Sequence, residues 1–230
     1  MADLGGRLAV VTGASGGIGA ALARALAGRG AEVCALGRRL EALDALGAGV
    51  RTRRLDLTDD VAVDELAGEL ERVDVLVHCA GEIQHAPVAD ARVEDLDLQY
   101  RANLRAPYRL TQSLLPALRA SQGDVVFVNS SIYPNARAGT GQFAATQYGL
   151  AAVADALRDE VNADGVRVLS VFPGRTATPR QARLHEAEGR EYRPERLLQP
   201  EDVAAAVLAA LELPRTAEVT DLRIRPFLKS

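Results

Sequence analysis

Val10-Val11-Thr12-Gly13-Ala14-Ser15-Gly16-Gly17-Ile18-Gly19 is the stretch that decides the fold of this chain. An apolar run from Leu8 to Val11 stops at a glycine-rich turn. Ile18, Leu22, Ala25 and Leu26 then recur at the three- and four-residue spacing of a helix. Strand, glycine turn and helix form the setting in which such glycines carry chemistry. Gly13 permits the sharp turn, Gly17 lets the backbone approach a pyrophosphate, and Gly19 lets the helix lie close on the strand. The start of the helix, Ser15 to Ile18, offers free N–H groups and a positive dipole end to phosphates. The glycine spacing is GxxxGxG, which departs from the common GxGxxG fingerprint.

Composition sets the bounds. The 230 residues fit one α/β domain, and 48% hydrophobic content fills a core. Aromatic residues make up only 4%, so that core is expected to be Ala, Leu and Val. A formal charge of -4 leaves no basic footprint for nucleic acid. No apolar run approaches the ~20 residues of a membrane span. Met1 to Gly6 lacks the charged and apolar regions of a signal peptide, so a soluble, cytoplasmic protein is expected. Cys34 and Cys79 both fall in expected buried strands and are read as reduced core residues. The only lysine is Lys229. No metal site is expected.

Glu32 to Leu36 reads as a second parallel strand. NAD-selective sites carry an acid at this strand's end, for the adenosine ribose. Here the end is Gly37-Arg38-Arg39, and two guanidiniums favour a 2′-phosphate, hence NADP(H). Arg38, nearer the strand end, is the stronger candidate. Further strands are expected at Val50–Leu55, Val73–Val77, Asp124–Asn129, Val166–Phe172 and, at the edge, Ala217–Arg225. Helices are expected from Thr58-Asp59-Asp60 to about Leu70, over Val93–Leu118, from about Gln142 to Asn162, and from Pro200 to Leu211. The alternation predicts one Rossmann-like doubly wound domain over residues 1–230, with seven mainly parallel strands and helices on both faces.

Thr12-Gly13-Ala14-Ser15-Gly16-Gly17-Ile18-Gly19 resembles the cofactor turn of the short-chain dehydrogenase/reductase family, and the resemblance runs along nearly the whole chain. It implies that Asp56, followed by Leu57, faces the adenine. His78-Cys79-Ala80-Gly81 is similar to the family's Asn-Asn-Ala-Gly, with Ala80 and Gly81 keeping the close approach to the cofactor. His78 is read as a structural hydrogen-bonding residue. Asn103 matches a helix asparagine that holds a water in the proton relay, and Ser131 matches the serine that bonds the substrate oxygen. Pro173-Gly174-Arg175-Thr176-Ala177-Thr178 resembles Pro-Gly-x-x-x-Thr, whose backbone and threonine contact the nicotinamide. The charged segment at about 175–198 corresponds to a mobile substrate lid.

The resemblance breaks at the catalytic pair. The family places a tyrosine and a lysine one helical turn apart, where the lysine lowers the tyrosine pKa and binds the nicotinamide ribose. Here those positions are Phe143, which has no ionisable hydrogen, and Gln147, which can bond ribose hydroxyls but carries no charge. Substitute acids are Tyr133 beside Ser131, Glu82 and His85 after the fourth strand, and Tyr192 in the lid. Three readings stay open. One is an NADP(H)-dependent oxidoreductase acting on a small organic substrate, by iminium reduction or with another acid. A second is a non-redox enzyme such as a cyclase, dehydratase or isomerase. The third is a non-catalytic partner subunit or an inactivated variant. A homodimer or homotetramer is expected, through Tyr100, Tyr108 and Leu110 on one helix and Val153, Leu157 and Val161 on the other.

Overall fold

The computed structural model describes residues 4–47 and 49–228, so Lys229 lies outside the described residues. Its strands are β1 (Leu8–Thr12), β2 (Glu32–Gly37), β3 (Val50–Arg54), β4 (Val75–His78), β5 (Asp124–Val128), β6 (Arg167–Pro173) and β7 (Asp221–Ile224). They form one seven-stranded sheet in the order β3-β2-β1-β4-β5-β6-β7, with every pair parallel. The helices are α1 (Gly17–Ala27), α2 (Leu40–Asp44), α3 (Asp60–Gly68), α4 (Val93–Tyr100), α5 (Ala106–Ser121), α6 (Gly141–Val161), α7 (Pro179–Ala187) and α8 (Pro200–Leu211). Among the described residues no helix is long and apolar enough to cross a membrane.

Strand side chains alternate between two cores. Ala9, Val11, Val33, Ala35, Val75 and Val77 pack under α1 and α8, with Leu22, Leu26, Val203 and Val207. Val10, Cys34, Leu36, Leu76, Val125 and Phe127 pack under α3, α5 and α6, with Leu66, Leu110, Leu114 and Leu150. Central parallel strands therefore read as unbroken apolar runs, because both faces are covered. Each fully buried Val or Leu contributes about 1.5–3 kcal/mol.

The structure corrects the sequence reading in four places. The expected helix over Val93–Leu118 is divided by a π-helical turn, Arg101–Arg105. Pro107 explains it: proline has no N–H to donate to the carbonyl four residues back, that of Asn103. Leu110, Leu157 and Val161 are core residues, 0%, 8% and 0% exposed, so they cannot serve as outer contacts. Cys79 lies one residue past β4 and is only half-buried. The last strand covers four residues rather than the nine from Ala217 to Arg225.

Strand order reverses between β1 and β4. The crevice at the carboxyl ends of these two strands is where an open α/β sheet takes its ligand.

Candidate active site

The glycine turn lines the crevice. Gly13 has φ +65, which favours glycine, and a Cβ there would lie 2.6 Å from the Ala80 nitrogen. The β1 and β4 ends therefore touch backbone to backbone. Thr12, which sequence reading overlooked, locks this contact. Its hydroxyl accepts from the N–H of Cys79 (3.0 Å) and of Ala80 (3.2 Å) and donates to the Val77 carbonyl. A Cβ at Gly19 would lie 2.8 Å from the Gly13 carbonyl carbon, so Gly19 seats α1 on the turn as expected. Gly17 has φ +54 and is crowded by the Thr178 methyl. Gly16 forms the open edge, where a Cβ would meet only Arg39 Nη2, at 3.8 Å. Gly16 also caps α1 without a side-chain hydrogen bond, which leaves the first N–H groups of the helix for a ligand. Ser15 and Ile18 flank this edge and are half-buried.

At the end of β2 the two arginines differ. Arg38 pairs with Glu82 at 2.6 Å. Arg39 donates to the Ser15 carbonyl at 3.0 Å, on the glycine turn itself. The guanidinium held on the glycine turn is thus that of Arg39, while that of Arg38 reaches the segment after β4. Asp56 accepts from the N–H and hydroxyl of Thr58. Its pKa lies below the usual value: the Thr58 N–H outweighs burial, with help from the Thr58 hydroxyl and the Arg38 charge. Leu57 beside it is half-buried.

Past β4, His78 is buried, bonded through Nε2 to Thr111 Oγ1 at 2.8 Å and stacked on Phe127. Burial pushes its pKa down to about 3, so it stays a neutral structural group. Burial likewise pushes the Cys79 thiol up to about 12, against a small opposing effect of Arg180. That excludes a thiolate at neutral pH.

The π turn aims Asn103 inward. Its Oδ1 accepts from the Glu82 N–H at 2.6 Å, and its Nδ2 donates to the Glu82 carbonyl (2.8 Å) and to Thr146 Oγ1 (3.1 Å). Both amide protons and one lone pair of Oδ1 are thus taken by protein, and the amide holds the Ala80-Gly81-Glu82 segment after β4 against α6. Thr146, also overlooked, donates in turn to the Phe143 carbonyl. Gln147 is 5% exposed; its backbone carbonyl accepts from Asn129 Nδ2 at 2.9 Å, which fixes α6 to the end of β5. Phe143 and Gln147 lie one turn apart on α6, as their spacing requires.

Ser131 is exposed, and its N–H donates to the Pro173 carbonyl. Tyr133 does not stand free beside it. Its ring stacks on Phe172 (centroids 5.3 Å apart), meets Tyr148 edge-on, and lies under Arg223. Tyr133 is therefore part of a packed aromatic cluster. Gly174 approaches Pro226 and Arg225 closely. The Thr176 hydroxyl donates to the Gly174 carbonyl, and the Thr178 hydroxyl caps α7 by accepting from the Gln181 N–H. Arg180 donates to the Gly81 carbonyl and so ties α7 to the β4 end. Tyr192 meets the buried His185 edge-on.

A family profile described as short chain dehydrogenase matches residues 7–189. The glycine betaine reductase of Emericella nidulans is 35% identical over 97% of this chain, which spans only 19% of that protein. An uncharacterized short-chain type dehydrogenase/reductase of Sinorhizobium fredii is 35% identical over 95% of this chain and 91% of its own. Among solved structures, the alcohol dehydrogenase of the archaeon Thermococcus sibiricus, complexed with 5-hydroxy-NADP, superposes with a TM-score of 0.86. It is 26% identical, over 97% of this chain and 98% of that one.

Proposed function

The chain belongs to the short-chain dehydrogenase family, and on that premise we propose that it is an NADP(H)-dependent oxidoreductase of a small organic substrate. It reduces carbonyl or iminium carbon without the tyrosine–lysine pair. The observation that carries this reading is the cradle at the β1–β4 crevice. Gly16 leaves room for phosphate, the first turn of α1 has uncapped N–H groups, and a guanidinium stands beside them. These residues fit a dinucleotide. Arg38 and Arg39 in place of an acid support the 2′-phosphate, as does the cofactor of the archaeal alcohol dehydrogenase.

When bound, a reduced nicotinamide supplies hydride. Gly13, Ser15, Gly16, Ile18 and Arg39 hold the phosphates, while Asp56, Leu57, Ala80 and Gly81 flank the adenosine. Gln147 bonds ribose hydroxyls, and Pro173, Gly174, Thr176 and Thr178 form the nicotinamide end. Ser131 receives the substrate oxygen, and the segment from 175 to 198 covers it. Phe143 holds no proton to give. An iminium carbon needs none, since hydride addition leaves a neutral amine.

Cofactor titration with turnover assays tests the reading. NADPH is expected to bind more tightly than NADH, and Arg39→Ala to weaken NADPH binding by about 1–3 kcal/mol. Phe143→Tyr with Gln147→Lys is expected to raise ketone reduction at least ~10-fold. Phe143→Tyr alone gives less, because the phenol stays near ~10 without the cation. A parent that binds no dinucleotide, with a double variant that reduces neither a ketone nor a cyclic imine, sinks the proposal.

A further inference from the structure

The ring of Phe143 has a titratable neighbour. The imidazole of His85, in the loop after β4, lies against it with ring centroids 6.1 Å apart and planes inclined at 59°. His85 Nδ1 is 3.2 Å from Glu188 Oε1, at the carboxyl end of α7. The other Glu188 oxygen faces Arg190 at 3.4 Å. Burial raises the Glu188 pKa, but the hydrogen bonds and charges of His85 and Arg190 outweigh it, so the carboxyl lies below its usual value. An ionised carboxylate only accepts, so His85 donates from Nδ1 and keeps Nε2 for another partner. A ring nitrogen oriented by a carboxylate is the base–orienter arrangement of general acid–base catalysis. Imidazole is also the side chain whose ordinary pKa suits proton transfer near neutrality.

We infer that His85, oriented by Glu188, is the catalytic acid for carbonyl substrates in the place that Phe143 leaves without one. The inference rests on the reductase reading above. In the step, the carbonyl carbon gains hydride from the reduced nicotinamide, which is oxidised. The C=O π pair moves onto oxygen. That oxygen takes the proton from Nε2 of the His85 imidazolium, leaving neutral imidazole, which water reprotonates after the alcohol departs. Glu188 is the positioning residue. Because it comes from α7, whose Arg180 holds the Gly81 carbonyl, the acid is complete only when α7 is seated on the β4 end. Glu82 and Tyr133 do not compete for the role: the first is paired with Arg38, the second packed against Phe172.

The test compares the parent with His85→Gln and Glu188→Ala, using NADPH with one ketone and one preformed cyclic iminium substrate. His85→Gln is expected to lower kcat on the ketone about 100-fold or more and to leave iminium turnover within about twofold. Added imidazole is expected to restore part of the ketone rate. Glu188→Ala is expected to lower ketone turnover about tenfold. A readout independent of cofactor is the nitrogen NMR of the chain's three histidines. In the parent, neutral His85 carries its proton on Nδ1, and Glu188→Ala removes that preference. His85→Gln reducing the ketone at the parent's rate overturns the inference. So does a tautomer indifferent to Glu188, or a parent that binds NADPH and reduces no ketone. NADPH titration of all three proteins keeps the failures apart, since a parent that binds no dinucleotide removes the reductase reading itself.

Discussion

The imidazole of His78 lies between Thr111 and Phe127, 3% exposed, and burial holds its pKa at about 3. In the unfolded chain it titrates near the ordinary 6.5. Below that pH the unfolded chain binds a proton that the native state does not, so stability rises with pH there. The His78 contribution is complete above pH 6.5 and is lost as pH falls from 6.5 toward 3. Asparagine is uncharged at every pH and can still bond Thr111. Between pH 7 and pH 5, His78→Asn is therefore expected to lose about 2 kcal/mol less than the parent, by urea unfolding at each pH. Equal losses would mean that the native imidazole already takes up the proton. The sequence showed that His78 and Cys79 replace an expected amide pair, but not that both are fixed in their neutral forms. For His78 that depends on how completely neighbouring elements cover it.

Helix α1 shows how one element depends on two glycines of different kinds. Gly19 meets the Gly13 backbone, whereas Gly16 faces open space apart from Arg39. Gly19→Ala is expected to cost about 1–3 kcal/mol of stability, since α1 must move off the turn, a strain larger than the helical gain of alanine. Gly16→Ala is expected to leave stability within about 0.5 kcal/mol but to weaken dinucleotide binding. Thermal unfolding beside cofactor titration separates them; a Gly16→Ala protein with parental NADPH affinity would show that the phosphate edge lies elsewhere. The α4–α5 element carries a different lesson. Its helical pattern was legible, yet the π turn was not, because apolar spacing is the same on either side of it. Pro107 was the available signal, four residues after Asn103.

At the scale of the whole molecule the two ends of the sheet divide their work. The carboxyl ends of the strands hold the crevice. The amino ends are stitched by buried carboxylates: Asp74 accepts from the Leu8 N–H (2.8 Å) and from Arg72 (2.7 Å), and Asp124 from Arg7 (3.0 Å) and Arg167 (2.6 Å). Asp124→Asn leaves Arg167 and Arg215 without their counter-charge and Arg7 with Asp74 alone, and is expected to cost about 3–5 kcal/mol in urea unfolding. Cofactor affinity measured in the folded state should not change, because the site is at the other end of the strands. A loss below 1 kcal/mol would show that water, not Asp124, satisfies the guanidiniums. Self-association is the remaining proposal at this scale. With Leu110, Leu157 and Val161 in the core, it rests on Tyr100 and Tyr108, 47% and 53% exposed, together with Leu96 and Leu98. Sedimentation at micromolar concentration is expected to give a dimer or tetramer, and Tyr108→Asp a smaller species; a monomeric parent ends the proposal.

The sequence by itself determined the alternation of apolar strands and helices, the glycine turn, and the Phe143–Gln147 pair one turn apart. These are local properties: a two- or 3.6-residue period, or a backbone angle that only glycine adopts comfortably, is written within a few residues. Tertiary structure alone decided that Arg39 rather than Arg38 reaches the glycine turn, that the Tyr133 ring stacks on Phe172, and that the Asn103 amide bonds Glu82 and Thr146. It alone brought His85 to Glu188, 103 residues apart in the chain. Such contacts depend on the paths of loops and on how far each helix slides over the sheet. Those are set by the packing of many side chains at once, which no short stretch of sequence encodes.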